Sequence, residues 1–336
     1  MKSKVYYSKN NFNKIIEKLP DNLKGKTGIK VHVGEPGNIT YLDPKYPKAV
    51  YEKLKKNNPD VSLVECNVLY RGDRSNRVGH LKTAKSHGYD FAPLDICDGE
   101  KGDDSWEIPI KGKHFSSVFV GENLNKYDNL ITVSHFKGHP ANGFGGALKN
   151  LGMGLGSRQG KMAMHKAFDL KIDEDSCLGC GICAEKCGAD AISIVGGKAK
   201  IDFDKCLRCA GCITNCPNGA VATPWGGTSS EELQERIVEY CFGITQNINC
   251  PVYINVMEKI TNKCDCYDEV MDPIAPDLGY LFSTDPVAID QASYDLLKKA
   301  LSKDVFKELH KVDSTKQMKY GEKLGLGSRE YELIEL

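Results

Sequence analysis

Eight of the 14 cysteines lie in two runs with the same spacing. Each run reads Cys-x-x-Cys-x-x-Cys-x-x-x-Cys, and a proline follows the second. Three thiolates spaced in this way bind one face of a cubane from a single loop, while the fourth reaches a neighbouring cluster. The pattern therefore predicts two [4Fe–4S] clusters on a bacterial-ferredoxin-like segment over residues 168–224. By this crossing rule one cluster is bound by Cys177, Cys180, Cys183 and Cys216, and the other by Cys187, Cys206, Cys209 and Cys212.

Two zinc sites with four cysteines each are the alternative to this interpretation. Structural zinc usually takes paired cysteines from separated loops, which differs from two unbroken runs. Small residues between the predicted ligands, such as Gly179, Gly181 and Gly211, would let backbone amides approach the cluster sulfurs. The spacing therefore favours redox-active iron–sulfur clusters over zinc.

A glycine-rich stretch at 134–152 follows the apolar segment 129–133 and could bring ligand and backbone together. It lacks the dinucleotide fingerprint, because Leu148 stands three residues after Gly145. The later Gly-Lys pair at 160–161 lacks the Ser or Thr of a P-loop, so neither NAD nor ATP is supported. The ligand-contacting glycines predicted here are Gly143, Gly145 and Gly146.

A Cys-x-Cys pair, Cys264 and Cys266, could bind a third metal ion or form a redox dithiol. In a regular strand whose ligand sits off one edge, the two thiols could not both bind one small ion without strain, whereas in a turn they converge readily, so the local conformation decides. The structural alternative is burial as small apolar side chains. Nearby histidines could act as ligands or proton donors and nearby lysines as anion anchors. The candidates for catalytic roles are Cys264, Cys266, His135, Lys137, His139 and Lys149.

The segment 67–74 follows a predicted strand, a usual place for ligand contacts in an α/β sheet. Arg71 and Arg74 could clamp a carboxylate or phosphate, and His80 follows them, although a solvated loop is the alternative. The other cysteines have no metal-ligand spacing, which favours burial. They are Cys66, Cys97, Cys241 and Cys250.

Strands alternate with helices on both sides of the cysteine-rich segment. This alternation predicts an α/β fold with a parallel or mixed sheet and flanking helices. The small α+β ferredoxin-like segment is then an insertion into one discontinuous core, residues 1–167 and 225–336. The predicted strands are 29–33, 61–65, 129–133 and 252–256, with a hairpin at 191–201, and the predicted helices are 47–56, 230–240, 286–301 and 303–310.

The overall composition of the 336 residues limits which binding partners and which cellular location are expected. The 45 basic side chains balance the 45 acidic ones, so neither nucleic acid nor an anionic membrane is an expected partner. The sequence shows no secretory signal and no apolar run of membrane-spanning length. These features predict a cytoplasmic protein, and the high thiol content favours an anaerobic source.

The glycine-rich stretch, the Cys264-Asp265-Cys266 triplet and the Ser-Thr-Asp-Pro-Val-Ala-Ile-Asp segment at 283–290 together resemble the hallmark pattern of the DUF362 family. This resemblance covers nearly the whole chain. It implies an α/β core with iron–sulfur clusters attached, and it implies no particular reaction.

The leading hypothesis is a redox enzyme in which two clusters relay electrons to a substrate or metal site in the α/β core. Its partners would be a ferredoxin or a reductase and a small-molecule substrate. A non-catalytic electron carrier and a metal- or cluster-handling protein that uses Cys264 and Cys266 are the alternatives. A flavin and a third metal site are further candidate cofactors, and a homo-oligomer stays open.

Overall fold

The computed structural model describes residues 2–166, 170–206, 208–222 and 227–336. In these ranges the strands are β1 (Ser3–Ser8), β2 (Thr27–Lys30), β3 (Val61–Glu65), β4 (Leu94–Ile96), β5 (Ser105–Pro109), β6 (Ser117–Gly121), β7 (Asn129–His135), β8 (Lys137–His139), β9 (Gly143–Gly145), β10 (Lys171–Ile172), β11 (Ile192–Val195), β12 (Lys198–Ile201), β13 (Val221–Ala222), β14 (Asn249–Met257), β15 (Gly279–Ser283) and β16 (Tyr331–Glu335). The helices are α1 (Asn13–Ile16), α2 (Lys45–Lys55), α3 (Arg77–Ser86), α4 (Ala147–Leu155), α5 (Arg158–His165), α6 (Ile182–Glu185), α7 (Gly211–Asn215), α8 (Ser230–Asn247), α9 (Pro286–Leu301), α10 (Val305–His310) and α11 (Lys316–Lys323).

One mixed sheet organises the core, with the strand order β16-β1-β15-β14-β7-β2-β3-β4. The run from β14 to β4 is parallel, and β15 pairs antiparallel with both of its neighbours. All seven residues of β7 are buried, as expected for a central parallel strand covered on both faces. The predicted α/β fold with a mixed sheet and flanking helices is therefore confirmed.

Apolar side chains cover both faces of this sheet. One cluster joins the sheet to α4, α8 and α9 through residues such as Leu148, Ile237 and Ile289. The other joins it to α1, α2 and α3 through residues such as Ile15 and Val50. None of the helices in the described part of the chain combines the length and apolar content needed to cross a lipid bilayer.

The element bounds differ from the predicted ones mainly at ends that approach the site. The strand predicted at 29–33 is β2, which ends at Lys30, because the chain then turns through Gly34 in the left-handed region at φ +81°. The helix predicted at 230–240 continues to Asn247, since Ile244 in the extra turns is also buried. The side chain of Ser229 caps this helix by accepting from the N–H of Glu232 at 3.2 Å.

The described residues of the cysteine-rich segment contribute no strand to the main sheet. Strands from before and after it, β7 and β14, are hydrogen-bonded neighbours. The predicted hairpin is present as β11 and β12, and its turn places Gly196 and Gly197 at φ +61° and +75°. The predicted junctions at 167/168 and 224/225 lie outside the described residues.

Two aspartates of the 283–290 segment hold helix ends. Asp285 accepts from the N–H groups of Val287 and Ala288, each at 2.8 Å, and begins α9. The buried Asp290 accepts from the first N–H groups of α4, those of Ala147 at 2.7 Å and Leu148 at 3.0 Å. This motif therefore orients the helix that carries part of the site described below.

Asp290 also accepts from the side-chain amide of Asn255 on β14 at 2.8 Å, so three buried donors share its carboxylate. Replacing Asp290 by Ala should lower the free energy of unfolding by about 2–4 kcal/mol, because these donors lose their acceptor. Urea denaturation followed by circular dichroism measures the change. Asp90→Ala, at an exposed carboxylate, is the control and should change stability by less than about 0.5 kcal/mol. An unchanged unfolding midpoint for Asp290→Ala would contradict the capping role.

Candidate active site

A cavity of about 520 Å³ opens where the parallel strands of the sheet end. Its wall includes His32 from the loop after β2 and Tyr70 from the loop after β3. His139, in the hairpin after β7, and Cys266, in the loop after β14, also belong to it. Helices α4, α5 and α8 complete it. Ligand sites in open α/β sheets lie at this carboxyl edge, so the cavity is the candidate active site.

The Cys-x-Cys pair lies in a turn, closed by a hydrogen bond from the N–H of Tyr267 to the carbonyl of Cys264 at 3.0 Å. The Cys266 thiol lines the cavity and donates a hydrogen bond to the sulfur of the fully buried Cys264. The Nζ of Lys149 lies 3.6 Å from the Cys264 sulfur. Hydrogen bonding by Cys266, followed by the charges of Lys149 and Lys137, holds the pKa of Cys264 well below its ordinary value although burial opposes this. Cys264 is therefore the more acidic thiol of the pair.

Asp265, between the two cysteines, is fully buried and pairs with side chains from the end of β7 and from β8. Its carboxylate contacts His135 Nδ1 at 2.9 Å and Lys137 Nζ at 3.3 Å. Burial opposes ionisation of Asp265, but the charges of His135 and Lys137 outweigh it and lower its pKa. The other nitrogen of His135 faces the carbonyl of Glu258 at 2.8 Å. These contacts fasten the cysteine turn to the end of β7.

Glu65 ends β3 and accepts from three buried side chains. Lys30 Nζ lies 2.8 Å away, His80 Nε2 2.8 Å and Arg74 Nη1 3.1 Å. Burial opposes ionisation of Glu65, but Lys30 and the other donors outweigh it and hold its pKa well below the usual range. Arg74 is also paired with Glu35 at 2.7 Å, so its guanidinium is already compensated.

Six of the twelve residues predicted for the core site line the cavity. They are Arg74, Lys137, His139, Gly145, Lys149 and Cys266. Cys264 lies directly behind Cys266, and His135 lies beneath the cysteine turn with both ring nitrogens bonded.

The other four predicted residues have different neighbours. His80 is bonded to Glu65, and burial lowers its pKa to about 4. A Cβ on Gly146 would lie 2.3 Å from Asp290, and one on Gly143 would lie 2.0 Å from Ser314, so both glycines permit close packing. Arg71 donates to the carbonyl of Pro217 at 2.9 Å and contacts the cysteine-rich segment. The structure does not bring these side chains to the cavity.

Sequence reasoning missed several residues of the wall, because helix α5 comes to the site only through the tertiary fold. Lys161 and His165 on this helix both line the cavity. Cys66, predicted to be merely buried, is buried and also lines it. His32 and Glu65 stand at or just after the ends of β2 and β3, which is a signal that could have found them. Of the remaining isolated cysteines, Cys97 and Cys241 are buried and Cys250 is half-buried.

The first predicted quartet of cysteines lines a small hollow of its own. All four thiols contribute, and Cys216 reaches them from the second run, together with Gly179 and Gly181. The N–H of Ala199 donates to the sulfur of Cys177 at 3.4 Å, and that of Ala220 to Cys216 at 3.2 Å. This arrangement agrees with the crossing rule.

In the second quartet, burial and then the charges of Cys209 and Cys206 raise the pKa of Cys212 to about 12. The sulfur of Cys187 accepts from the N–H of Ala191 at 3.3 Å. Within the described ranges no three His, Cys, Asp or Glu side chains are arranged to hold a single metal ion.

The cysteine-rich segment is packed against the cavity wall. Leu69 and Met162 of the core share an apolar cluster with Ile213, Cys212 and Cys216. Leu69 also lines the cavity. One buried side chain therefore belongs both to the cavity wall and to the apolar cluster that includes the cysteine-rich segment.

Polar contacts hold the same interface. Arg158 is fully buried and donates from Nη1 to the hydroxyl of Thr214 on α7 at 3.0 Å. Lys101 donates to the side chain of Asn215 at 2.8 Å. Together with the bond from Arg71 to Pro217, these contacts orient the segment on the core.

Two solved structures match this chain with low sequence identity and TM-scores below 0.5. The lactate racemase apoprotein from Thermoanaerobacterium thermosaccharolyticum is 11% identical with a TM-score of 0.43, covering 86% of this chain and 55% of that one. A protein from Thermotoga maritima is 12% identical with a TM-score of 0.41, covering 88% of this chain and 58% of that one. The chain thus spans little more than half the length of either protein.

No curated protein matches the sequence. A family described as "Domain of unknown function (DUF362)" matches residues 27–295, which is most of the chain and includes the cavity and the cysteine-rich segment. The chain therefore belongs to the DUF362 family.

Proposed function

We propose that this chain is a cytoplasmic iron–sulfur redox protein, in which two [4Fe–4S] clusters on the cysteine-rich segment exchange electrons with the cavity of the α/β core. The observation that carries the proposal is the position of Leu69. This side chain lines the cavity and packs in the same cluster as Cys212 and Cys216. A redox centre held by these cysteines would therefore be adjacent to the cavity.

The thiols fit such clusters in number and in their spacing along the chain. The first quartet lines one hollow, with Cys216 of the second run included. Backbone N–H groups donate to four of the sulfurs at 3.2–3.4 Å. Hydrogen bonds of this kind tune the reduction potential of a cluster. Cys177, Cys180, Cys183 and Cys216 would bind one cluster, and Cys187, Cys206, Cys209 and Cys212 the other.

When bound, the clusters supply one-electron transfer, with a ferredoxin or a reductase as the donor. The core residues then determine what receives the electrons. Leu69 and Met162 are 2% and 0% exposed and exclude water between the segment and the cavity. Arg158 holds the segment in register on the core through Thr214.

Cys264 and Cys266 are the proposed two-electron acceptor in the cavity. A disulfide between them would take two electrons and one proton to give the Cys264 thiolate and the Cys266 thiol. Lys149 and Lys137 stabilise that thiolate, and the turn already brings the sulfurs within hydrogen-bond reach. Oxidation by a small-molecule substrate would reform the disulfide, which couples one-electron delivery to two-electron chemistry.

Iron and acid-labile sulfide in anaerobically purified protein should each be close to eight per chain, the content of two cubanes. Cys183→Ser should remove roughly half of both, because it deletes a ligand of one cluster only. Inductively coupled plasma spectrometry and electron paramagnetic resonance measure this. Cys250→Ser, outside the quartets, is the control and should keep the full content. Colourless or zinc-containing wild-type protein would reject the redox proposal.

Reductive titration of the oxidised protein should consume about four electrons per chain, two for the clusters and two for the disulfide. The Cys264→Ser/Cys266→Ser variant should consume about two and keep all its iron. The Cys241→Ala/Cys250→Ala variant is the matched control and should behave like the wild type. Uptake of only two electrons by the wild type would reject the dithiol while leaving the clusters in place. Loss of iron in the Cys264→Ser/Cys266→Ser variant would instead indicate that this pair binds metal.

A further inference from the structure

Three lysines line the same cavity, and they differ in whether a negatively charged group lies beside them. Lys137 is paired with the carboxylate of Asp265 at 3.3 Å. Lys161 donates to the backbone carbonyl of Gly156, and the partner of Lys149 is the sulfur of Cys264 at 3.6 Å. Within the described ranges, Lys149 and Lys161 form no ion pair with a carboxylate. Lys161 is therefore the lysine of the wall whose hydrogen-bond partner, a backbone carbonyl, carries no charge.

Two of the three histidines of the wall, His139 and His165, have pKa values lowered by burial and by these lysines. Burial, and then Lys149, lower the pKa of His139 well below its ordinary value. Burial, followed by Lys149 and Lys161, lowers that of His165 to about 4. All four side chains line the same cavity. His139 accepts at Nδ1 from the N–H groups of Ala141 and Asn142, so the neutral ring carries its proton on Nε2.

A second part of the wall is apolar. Leu233 and Ile237 lie one turn apart on α8, and Met153 lies on the facing helix α4. Leu69 extends this surface towards the cysteine-rich segment. A ligand that satisfies both parts of the wall needs an anionic group and an apolar body.

The helix ends argue against a phosphoryl group as the anion. Phosphates are usually bound by free N–H groups at a helix N-terminus. The first N–H groups of α4 are occupied by the carboxylate of Asp290, and the N-terminus of α5 is capped by Ser157, which accepts from Gly160 at 3.3 Å. Lysine side chains are then the available anion donors, and two of them suffice for a carboxylate.

We infer that the cavity binds an amphipathic organic carboxylate, whose carboxylate group contacts Lys149 and Lys161 and whose apolar part packs against Met153, Leu233 and Ile237. This inference names the substrate class of the site proposed above and rests on that proposal for its catalytic meaning. The binding itself requires no electron transfer, so it can be tested separately.

Isothermal titration calorimetry on anaerobically purified protein with 4-phenylbutyrate tests the inference. The neutral analogue 4-phenylbutan-1-ol and inorganic phosphate are the comparison ligands. The carboxylate should bind at least tenfold more tightly than either, because only it satisfies both parts of the wall. Equal affinity for the alcohol would overturn the role of the lysines, and equal affinity for phosphate would overturn the role of the apolar wall.

Lys149→Met should weaken 4-phenylbutyrate binding about tenfold or more, and Lys149→Arg should restore most of it because the charge is kept. Lys299→Met removes an exposed helical lysine and should leave the affinity unchanged. Unchanged affinity in Lys149→Met would overturn the inference. Iron is measured on the same samples. If the protein lacks iron but still prefers 4-phenylbutyrate, the redox function alone is rejected. If it contains all its iron but shows no preference for 4-phenylbutyrate, the ligand class alone is rejected.

Discussion

The architecture of the site depends on one buried carboxylate, that of Glu65 at the end of β3. It accepts from Lys30 at the end of β2 and from Arg74 and His80 in the segment that follows β3. A carboxylate taken out of water is costly unless it is paired and fully hydrogen-bonded. Glu65 therefore holds two adjacent strand ends and the following segment in one arrangement, and Tyr70 and Arg74 on the cavity wall follow from it.

The same principle places the cysteine turn. Asp265 is buried against His135 and Lys137 at the end of β7, so the chain on either side of it projects Cys264 and Cys266 towards Lys149. The charge of Asp265 still opposes ionisation of Cys264, but hydrogen bonding by Cys266 and the charges of Lys149 and Lys137 outweigh it and lower the pKa of Cys264.

Several residues of the family pattern do not line the cavity but support the elements around it. Asp290 caps α4, Asp285 caps α9, and Gly146 gives Asp290 room to approach. Asp290 and Gly146 thus act on α4, which carries Lys149 into the cavity. Arg71 likewise acts at a distance from the cavity, where it joins the core to Pro217 of the cysteine-rich segment.

The sequence by itself determined the α/β class, several central strands, the helices between residues 230 and 310 and the two cysteine runs, because these depend on short-range periodicity and fixed spacing. The β3 bounds at Val61–Glu65 and the hairpin around Gly196 and Gly197 needed nothing else. Only the tertiary structure decided which polar side chains face one cavity. Lys161 and His165 on α5 are far in sequence from Cys266, yet all three line the cavity. His80 and Gly146 do not line it, because the fold packs Glu65 against His80 and Asp290 against Gly146. Such partners are set by long-range packing and burial, and local sequence carries no record of them.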